Sequence, residues 1–152
     1  MLLPDTLEFL VGEWDLRRSV RDHLAGVDAS FVGTASFVVS EAASRSGPPH
    51  RTRYREAVEM VLGAHRGPAS RELLYVRRDD STVMVYFADG RPFVDLDLRE
   101  GEWRSVHPCG EDFYETVTLV RSADSLEERW RVWGPAKSYE AVTSLTRLPQ
   151  AS

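Results

Sequence analysis

The apolar residues of this chain recur at every second position. From Trp14 they fall on even numbers, Trp14, Leu16, Val20 and Leu24, while Glu13, Asp15, Arg17, Ser19, Arg21 and His23 fill the odd ones. That period belongs to a strand with one buried face, not to a helix. After a turn at Ala25-Gly26 the parity reverses. Ala29, Phe31, Gly33, Ala35, Phe37 and Val39 alternate with Ser30, Thr34 and Ser36, so the two runs read as a long hairpin. The one segment outside this pattern precedes it. Asp5 or Thr6 can cap a short helical turn through Leu7, Glu8, Phe9 and Leu10 that ends near Gly12.

The alternation continues to the C-terminus. A loop rich in Ser, Ala, Gly and Pro covers Glu41 to Pro49 and is a candidate lid. Tyr54, Val58, Met60 and Leu62 share a strand face, and Gly63 to Pro68 reads as a second connection. Further strands are expected over Arg71 to Arg77, Thr82 to Phe87, Phe93 to Leu98, Glu102 to Cys109, Phe113 to Arg121, Leu126 to Trp133 and Lys137 to Leu148. Turn signals separate them: Asp79-Asp80, Asp89-Gly90, Gly101, Gly110, Ser122 to Ser125, and Gly134-Pro135. Roughly 8–10 strands joined mostly by hairpins predict an all-β, antiparallel, up-and-down barrel with a short N-terminal helix, since closure removes exposed edges. The 152 residues, 42% hydrophobic and 28% charged, suit one domain over residues 1–152 with a core of its own. A net charge of −5 argues against nucleic acid and against an anionic membrane surface as partner. The lone Cys109 forms no internal disulfide. With no signal-like N-terminus and no run near the roughly 18 apolar residues of a membrane span, the expected compartment is the cytoplasm. Nothing in the pattern specifies an oligomeric state.

Several charges break the alternation. Arg18 lies between Leu16 and Val20 on the apolar face, and Asp22 follows it. Glu56 lies between Tyr54 and Val58. Arg71 shares a face with Leu73 and Tyr75, and Lys137 with Tyr139 and Ala141. An unpaired buried charge costs several kcal/mol, by rough estimate. These side chains either pair across the interior, Arg18 with Glu56 or Asp22, or line a wet cavity that meets a polar ligand.

His107, Cys109, Asp112 and Tyr114 are the densest cluster of reactive types. A histidine beside a carboxylate and a phenol suits acid–base chemistry. The spacing matches no metal motif, and residues two apart on a strand lie roughly 6–7 Å apart, too far for a Cys–His nucleophile pair. Cys109 is expected as a small buried residue. The more apolar set from Phe113 onward is odd: Phe113, Val117 and Leu119. Unless a bulge near Gly110 intervenes, Asp112 and Tyr114 then face outward.

Taken together, the motifs resemble a family. Phe9-Leu10-Val11-Gly12-x-Trp14-x-Leu16-x-Arg18 contains the Gly-x-Trp similar to that opening lipocalin and other calycin barrels. Phe31-x-Gly33-x-Ala35-x-Phe37, Tyr54-x-Glu56, Asp89-Gly90-Arg91-Pro92-Phe93 and Leu96-Asp97-Leu98 follow. His107-x-Cys109-x-x-Asp112-x-Tyr114 and Trp130-x-Val132-x-Gly134-Pro135-x-Lys137-x-Tyr139 complete the series. The order resembles a bacterial, lipocalin-like family of unknown function, family 6314, over nearly the full chain. The resemblance implies a calycin-type barrel and no established activity. The family pattern tends to carry a histidine after Arg-Pro-Phe, where this chain has Val94. Arg18, Glu56, Arg71, Arg91, His107, Asp112, Tyr114, Lys137 and Tyr139 match the family pattern.

Three functions fit these residues. In the first, an interior lined by Trp14, Phe31, Phe37, Tyr54, Met60, Tyr75 and Trp130 binds a small, partly apolar molecule. Arg18, Tyr54 and Arg71 meet its polar or anionic end, with Arg91, Lys137 and Tyr139 nearby. In the second, the barrel is a cofactor-independent isomerase, cyclase, dehydratase or hydrolase, with His107, Asp112, Tyr114 and Glu56 as acid–base groups. In the third, His107 is an axial ligand to haem. The chain lacks nucleotide-binding and nucleophile-elbow signatures. The first reading, which needs neither cofactor nor metal, is favoured.

Overall fold

The computed structural model describes residues 2–40 and 47–150. One short helix, α1 (Thr6–Leu10), precedes ten strands: β1 (Gly12–Asp22), β2 (Val27–Val39), β3 (Arg51–Leu62), β4 (His65–Arg77), β5 (Val83–Phe87), β6 (Pro92–Leu96), β7 (Glu102–Cys109), β8 (Asp112–Ser122), β9 (Ser125–Gly134) and β10 (Lys137–Arg147). All pairings are antiparallel, and the sheet order is β6-β5-β4-β3-β2-β1-β10-β9-β8-β7. A meander bonded in this way, with β1 pairing β10, is a barrel cut open only between β6 and β7. Side chains close that seam. Trp103 Nε1 donates to the Asp95 carbonyl at 3.1 Å, and Ser105 Oγ donates to Asp95 Oδ1 at 2.7 Å.

The two ends of the barrel differ. Helix α1 plugs one end because its polar groups find partners there. Asp5 caps it, accepting from the Glu8 amide at 3.0 Å and pairing with Arg77 at 2.8 Å. The Thr6 hydroxyl accepts from the Leu98 amide at 2.9 Å. The carbonyls left over at its C-terminus are satisfied by Trp14 Nε1 on Leu10 (2.9 Å) and by Arg147 on Val11 (3.1 Å) and Phe9 (2.7 Å). Leu7, Leu10, Trp14, Leu16, Val83 and Leu98, almost wholly buried, form the core above the plug. The five hairpin tips that join β1 to β2, β3 to β4, β5 to β6, β7 to β8 and β9 to β10 all lie at the other end, the mouth. The expected lid, Glu41 to Pro49, falls largely on residues outside those described. The strand ends it joins, Val39 and Arg51, lie at the plugged end.

The structure departs from the sequence pattern in several places. Gly63 to Pro68 is not a connection, since β4 begins at His65 and Pro68 sits opposite Glu59 within the ladder. Only Leu73–Arg77 of β4 pair with β5, so Pro68 occupies an edge where its missing N–H disturbs nothing. No bulge intervenes near Gly110 either: Cys109 faces Asp112, and the register runs unbroken along β7 and β8. Even positions of β8 nevertheless face inward. Thr116 and Thr118 are buried, while Phe113 is exposed outside, stacked on Trp133 at 5.6 Å. Cys109, expected to be buried, is exposed at a hairpin tip.

Gly33 marks a close approach of β2 to the backbone of β3. A Cβ there would lie 2.1 Å from the Ala57 carbonyl oxygen and 2.6 Å from Val58 Cα, both backbone atoms that cannot swing aside. Gly33→Ala is therefore expected to cost about 3 kcal/mol, the upper range for overpacking, in urea unfolding. An unchanged midpoint would refute this close approach.

Candidate functional site

Strand register assembles the site. Glu56 faces Ala35 on β2 and Arg71 on β4, so the glutamate and arginine are cross-strand neighbours. Arg18 faces Thr143, and Thr143 faces Glu128, which faces Thr118. These two rows meet inside the barrel as a layer of charge.

The layer is built around one carboxylate. Arg18 Nη1 and Nη2 donate to the two Glu56 oxygens at 2.9 Å each, a bidentate fork, and Arg18 Nε donates to Thr143 at 2.7 Å. Tyr54 donates to Glu56 at 2.5 Å. The Glu56 and Arg18 side chains are only 4% and 11% exposed. Burial alone would raise the Glu56 carboxyl, but the Arg18 hydrogen bonds and the Arg71 and Arg18 charges hold it below the ordinary value. Burial likewise opposes the Arg18 charge, and the bonds and charge of Glu56 overcome it, raising its pKa. The Tyr54 phenol is pushed up by burial first and by the Glu56 charge second, so it stays protonated and donates.

Arg71 is held differently. Its Nε lies 3.4 Å from Glu56, is buried, and makes no hydrogen bond. The guanidinium lies 5.0 Å from the Trp130 ring and 5.9 Å from that of Tyr54. Although the residue faces inward, its side chain is 32% exposed. Strand β5 ends at Phe87, opposite Leu73, so no β5 ladder continues beside Arg71. Below this layer the interior is nearly full. A cavity of about 20 Å³, lined by Arg18, Arg71, Tyr75, Thr118, Glu128 and Thr143 among others, has room for about one water.

Toward the mouth the lining becomes aromatic. The Phe93 ring lies 4.7 Å from Phe87, 4.9 Å from Trp130, 5.8 Å from His107 and 6.1 Å from Tyr114. His107, Tyr114, Val132 and Tyr139 follow one another across β7, β8, β9 and β10. Tyr114 thus faces inward, where the odd-numbered apolar set had pointed it outward. Lys137 Nζ lies 3.4 Å from Asp112 and 3.5 Å from the Tyr114 hydroxyl. The hydrogen bond and charge of Tyr114, followed by those of Asp112, raise the Lys137 pKa. Burial is the first cause of the raised Tyr139 pKa. Asp112 lies against Gly134, where a Cβ would come within 1.9 Å of its oxygen, and its partner is Lys137 rather than His107.

The structure therefore gathers Arg18, Tyr54, Glu56, Arg71 and Trp130 at one level, and His107, Asp112, Tyr114, Lys137 and Tyr139 at the rim. Two expected residues stand apart. Trp14 is fully buried at the plugged end, beneath the Arg147 guanidinium at 4.2 Å and separated from the charged layer by Leu16. Arg91 is exposed at the β5–β6 tip, held by Asp89 at 2.7 Å and lying 5.1 Å from the Phe87 ring. Val94 packs in the apolar core opposite Val85. One charged residue escaped the sequence pattern. Glu128 faces inward between Leu126 and Trp130 and accepts from Trp130 Nε1. The parity argument that marks Arg18 marks it equally. Among the described residues, no group of three or more His, Cys, Asp or Glu side chains converges to hold a metal, and no helix is long and apolar enough to cross a membrane.

A folded-state pKa below the unfolded value stabilises the fold above that value, and the gain is lost as pH falls through the folded pKa. Glu56→Gln is thus expected to cost about 3 kcal/mol at neutral pH, because it leaves Arg18 buried without its counter-charge. Below the ordinary glutamate value of 4.5 the gap between wild type and variant should narrow. Denaturant unfolding across that range measures it, and a gap independent of pH would sink the assignment.

Comparison with known proteins agrees with this architecture. The model of a family of unknown function (DUF6314) matches residues 10–147. No curated protein matches the chain. Among solved structures, the S-type phycobiliprotein lyase CPES from Guillardia theta superposes with a TM-score of 0.64 at 13% identity, over 95% of this chain and 92% of that one. A de novo designed fluorescence-activating β-barrel superposes with a TM-score of 0.50 at 16% identity, over 96% of this chain and 100% of the design. At such identities the likeness is one of fold.

Proposed function

Since the chain belongs to the family of unknown function DUF6314, whose name carries no activity, we propose a function from the site itself: the barrel binds a small, partly apolar molecule through its mouth and meets the polar or anionic end of that molecule with Arg71. The observation that carries this reading is the state of Arg71. It is an inward-facing guanidinium reached by solvent, with a buried Nε that has no hydrogen-bond acceptor. Arg18 is already saturated by Glu56 and Thr143, so it positions rather than binds. A carboxylate meeting the solvent-exposed part of the guanidinium would give Arg71 the charge-assisted acceptor that Glu56, 3.4 Å from the buried Nε, does not supply. The aromatic rings above it offer an apolar wall for the rest of the molecule. The two structural neighbours named above are a phycobiliprotein lyase and a designed fluorescence-activating barrel. Both fit a barrel of this shape that takes a small molecule.

A second reading keeps the same cavity and adds chemistry at the rim, where Lys137 touches both Tyr114 and Asp112, next to His107. Glu56 does not serve that reading well. Its oxygens are occupied by Arg18 and Tyr54, and its lowered pKa makes it a poor proton acceptor near neutrality.

The anionic fluorophore 1-anilinonaphthalene-8-sulfonate tests the binding reading. It is expected to bind at one site with enhanced emission. Arg71→Met should weaken it by about 10- to 100-fold, the worth of a hydrogen bond to a charged group, with circular dichroism confirming the fold. Equal affinity in Arg71→Met would overturn the assignment of Arg71.

A further inference from the structure

Resting on that binding reading, we infer the class of ligand: a flat aromatic carboxylate of two fused rings, with its acid group on Arg71 and a second polar group at the opposite end, facing Lys137 and Tyr114. Three observations carry this.

The first is depth. The cavity beneath the charged layer is about 20 Å³, so no tail can pass below Arg18, Glu56 and Arg71. A ligand that reaches Arg71 would therefore have to sit above them, between the layer and the half-buried His107, Tyr114, Trp130 and Tyr139. From Thr143, at the level of the layer, to Tyr139, at the rim, β10 rises four residues. At about 3.4 Å per residue and a barrel tilt near 40°, that is a depth of roughly 10 Å. A fused bicycle spans this distance. An extended chain of ten or more carbons would leave its end in water.

The second is the shape of the wall. Phe87, Phe93, Trp130, His107 and Tyr114 form a run of ring contacts from the layer to the rim. Arg71 already lies 5.0 Å from Trp130, so an acid bound in the plane of its guanidinium lays the attached ring along the same wall. Flat faces pack against rings with more contact than a flexible chain makes, and a rigid ligand loses less entropy on binding.

The third is the polarity of the rim. The Lys137 ammonium and the hydroxyls of Tyr114 and Tyr139 lie at the level where a ligand of this length ends. Asp112 opposes a second full negative charge there, because it already pairs with Lys137. A hydroxyl, which donates to one neighbour and accepts from another, suits the rim better than a second acid.

The test is a calorimetric comparison of four probes on the full chain: 6-hydroxy-2-naphthoate, 2-naphthoate, decanoate and 6-hydroxy-2-naphthamide. The hydroxynaphthoate is expected to bind tightest. Decanoate and the neutral amide should each bind at least about tenfold more weakly, a difference of about 1.4 kcal/mol. Tyr114→Phe removes only a rim hydroxyl and should erase the preference for hydroxynaphthoate over naphthoate. Phe93→Leu should reduce the preference for naphthoate over decanoate, with circular dichroism confirming the fold. Decanoate binding as tightly as the naphthoates would overturn the aromatic class and leave the binding reading standing. Equal binding of acid and amide would overturn the acid group on Arg71. If none of the four probes binds and the anilinonaphthalene fluorophore also fails to bind, the binding reading itself falls.

Discussion

The fork from Arg18 to Glu56 is the interaction on which the interior is organised. It spans β1 to β3 across β2, and it fixes the level at which the barrel changes character. Toward α1 the packing is dry: Leu7, Leu10, Trp14, Leu16 and Leu98 are almost completely buried and leave little space. Toward the hairpin tips the packing is aromatic and partly wet. Two charges in a small barrel are tolerable only because each satisfies the other with matched geometry, and because Thr143 and Tyr54 use the remaining hydrogen-bonding capacity. An apolar pair of similar volume would hold the strands together as well or better, so stability alone does not explain the fork.

What it does explain is Arg71. Glu56 is the counter-charge for two arginines, and Arg18 takes the better geometry. Arg71 is left with the field of Glu56 but not a hydrogen bond at Nε. Glu128 adds a second negative charge to the layer, so Arg18, Arg71, Glu56 and Glu128 balance. Such a layer keeps Arg71 in place without quenching it, which is the condition for an anion site that is preorganised rather than assembled on binding.

Most of the fold was legible from parity. The strands and the hairpins follow from which residues alternate with which, the N-terminal turn follows from Asp5 ahead of Leu7 to Leu10, and parity placed Arg18 inside with Glu56 as one of two candidate partners. Parity failed where the interior is not greasy. On β8 the inward set is Tyr114, Thr116 and Thr118, because those positions meet the charged layer and the rim. The outward set, Phe113, Val117 and Leu119, is more apolar. It is covered in part by neighbours such as Trp133, Arg129 and Glu102. A rule that places the more apolar set inside must then choose the wrong face. Glu128 was hidden for a related reason: it follows Glu127, and a pair of acids reads as a solvated turn unless its phase with Leu126 and Trp130 is counted. Pro68 read as a loop because sequence does not reveal that β4 outruns β5 and becomes an edge.

That outrunning matters to the site. The β5–β6 hairpin is the shortest in the barrel, and no β5 ladder continues beside Arg71. The same hairpin forms one side of the seam that, among the described residues, lacks a backbone ladder, where Asp95 ties β6 to Trp103 and Ser105 of β7. The end of the β4–β5 ladder beside Arg71 and the seam that lacks ladder bonds therefore share one short hairpin, and Phe93, the hub of the aromatic wall, sits on it. A side chain there has two constraints at once. It must pack against Trp130 and His107 across the opening, and it must leave Arg71 reachable from outside. A bulge between Val85 and Tyr86 makes both possible, because it lets Phe93 and Val94 be buried in succession where a regular strand would turn one of them to solvent.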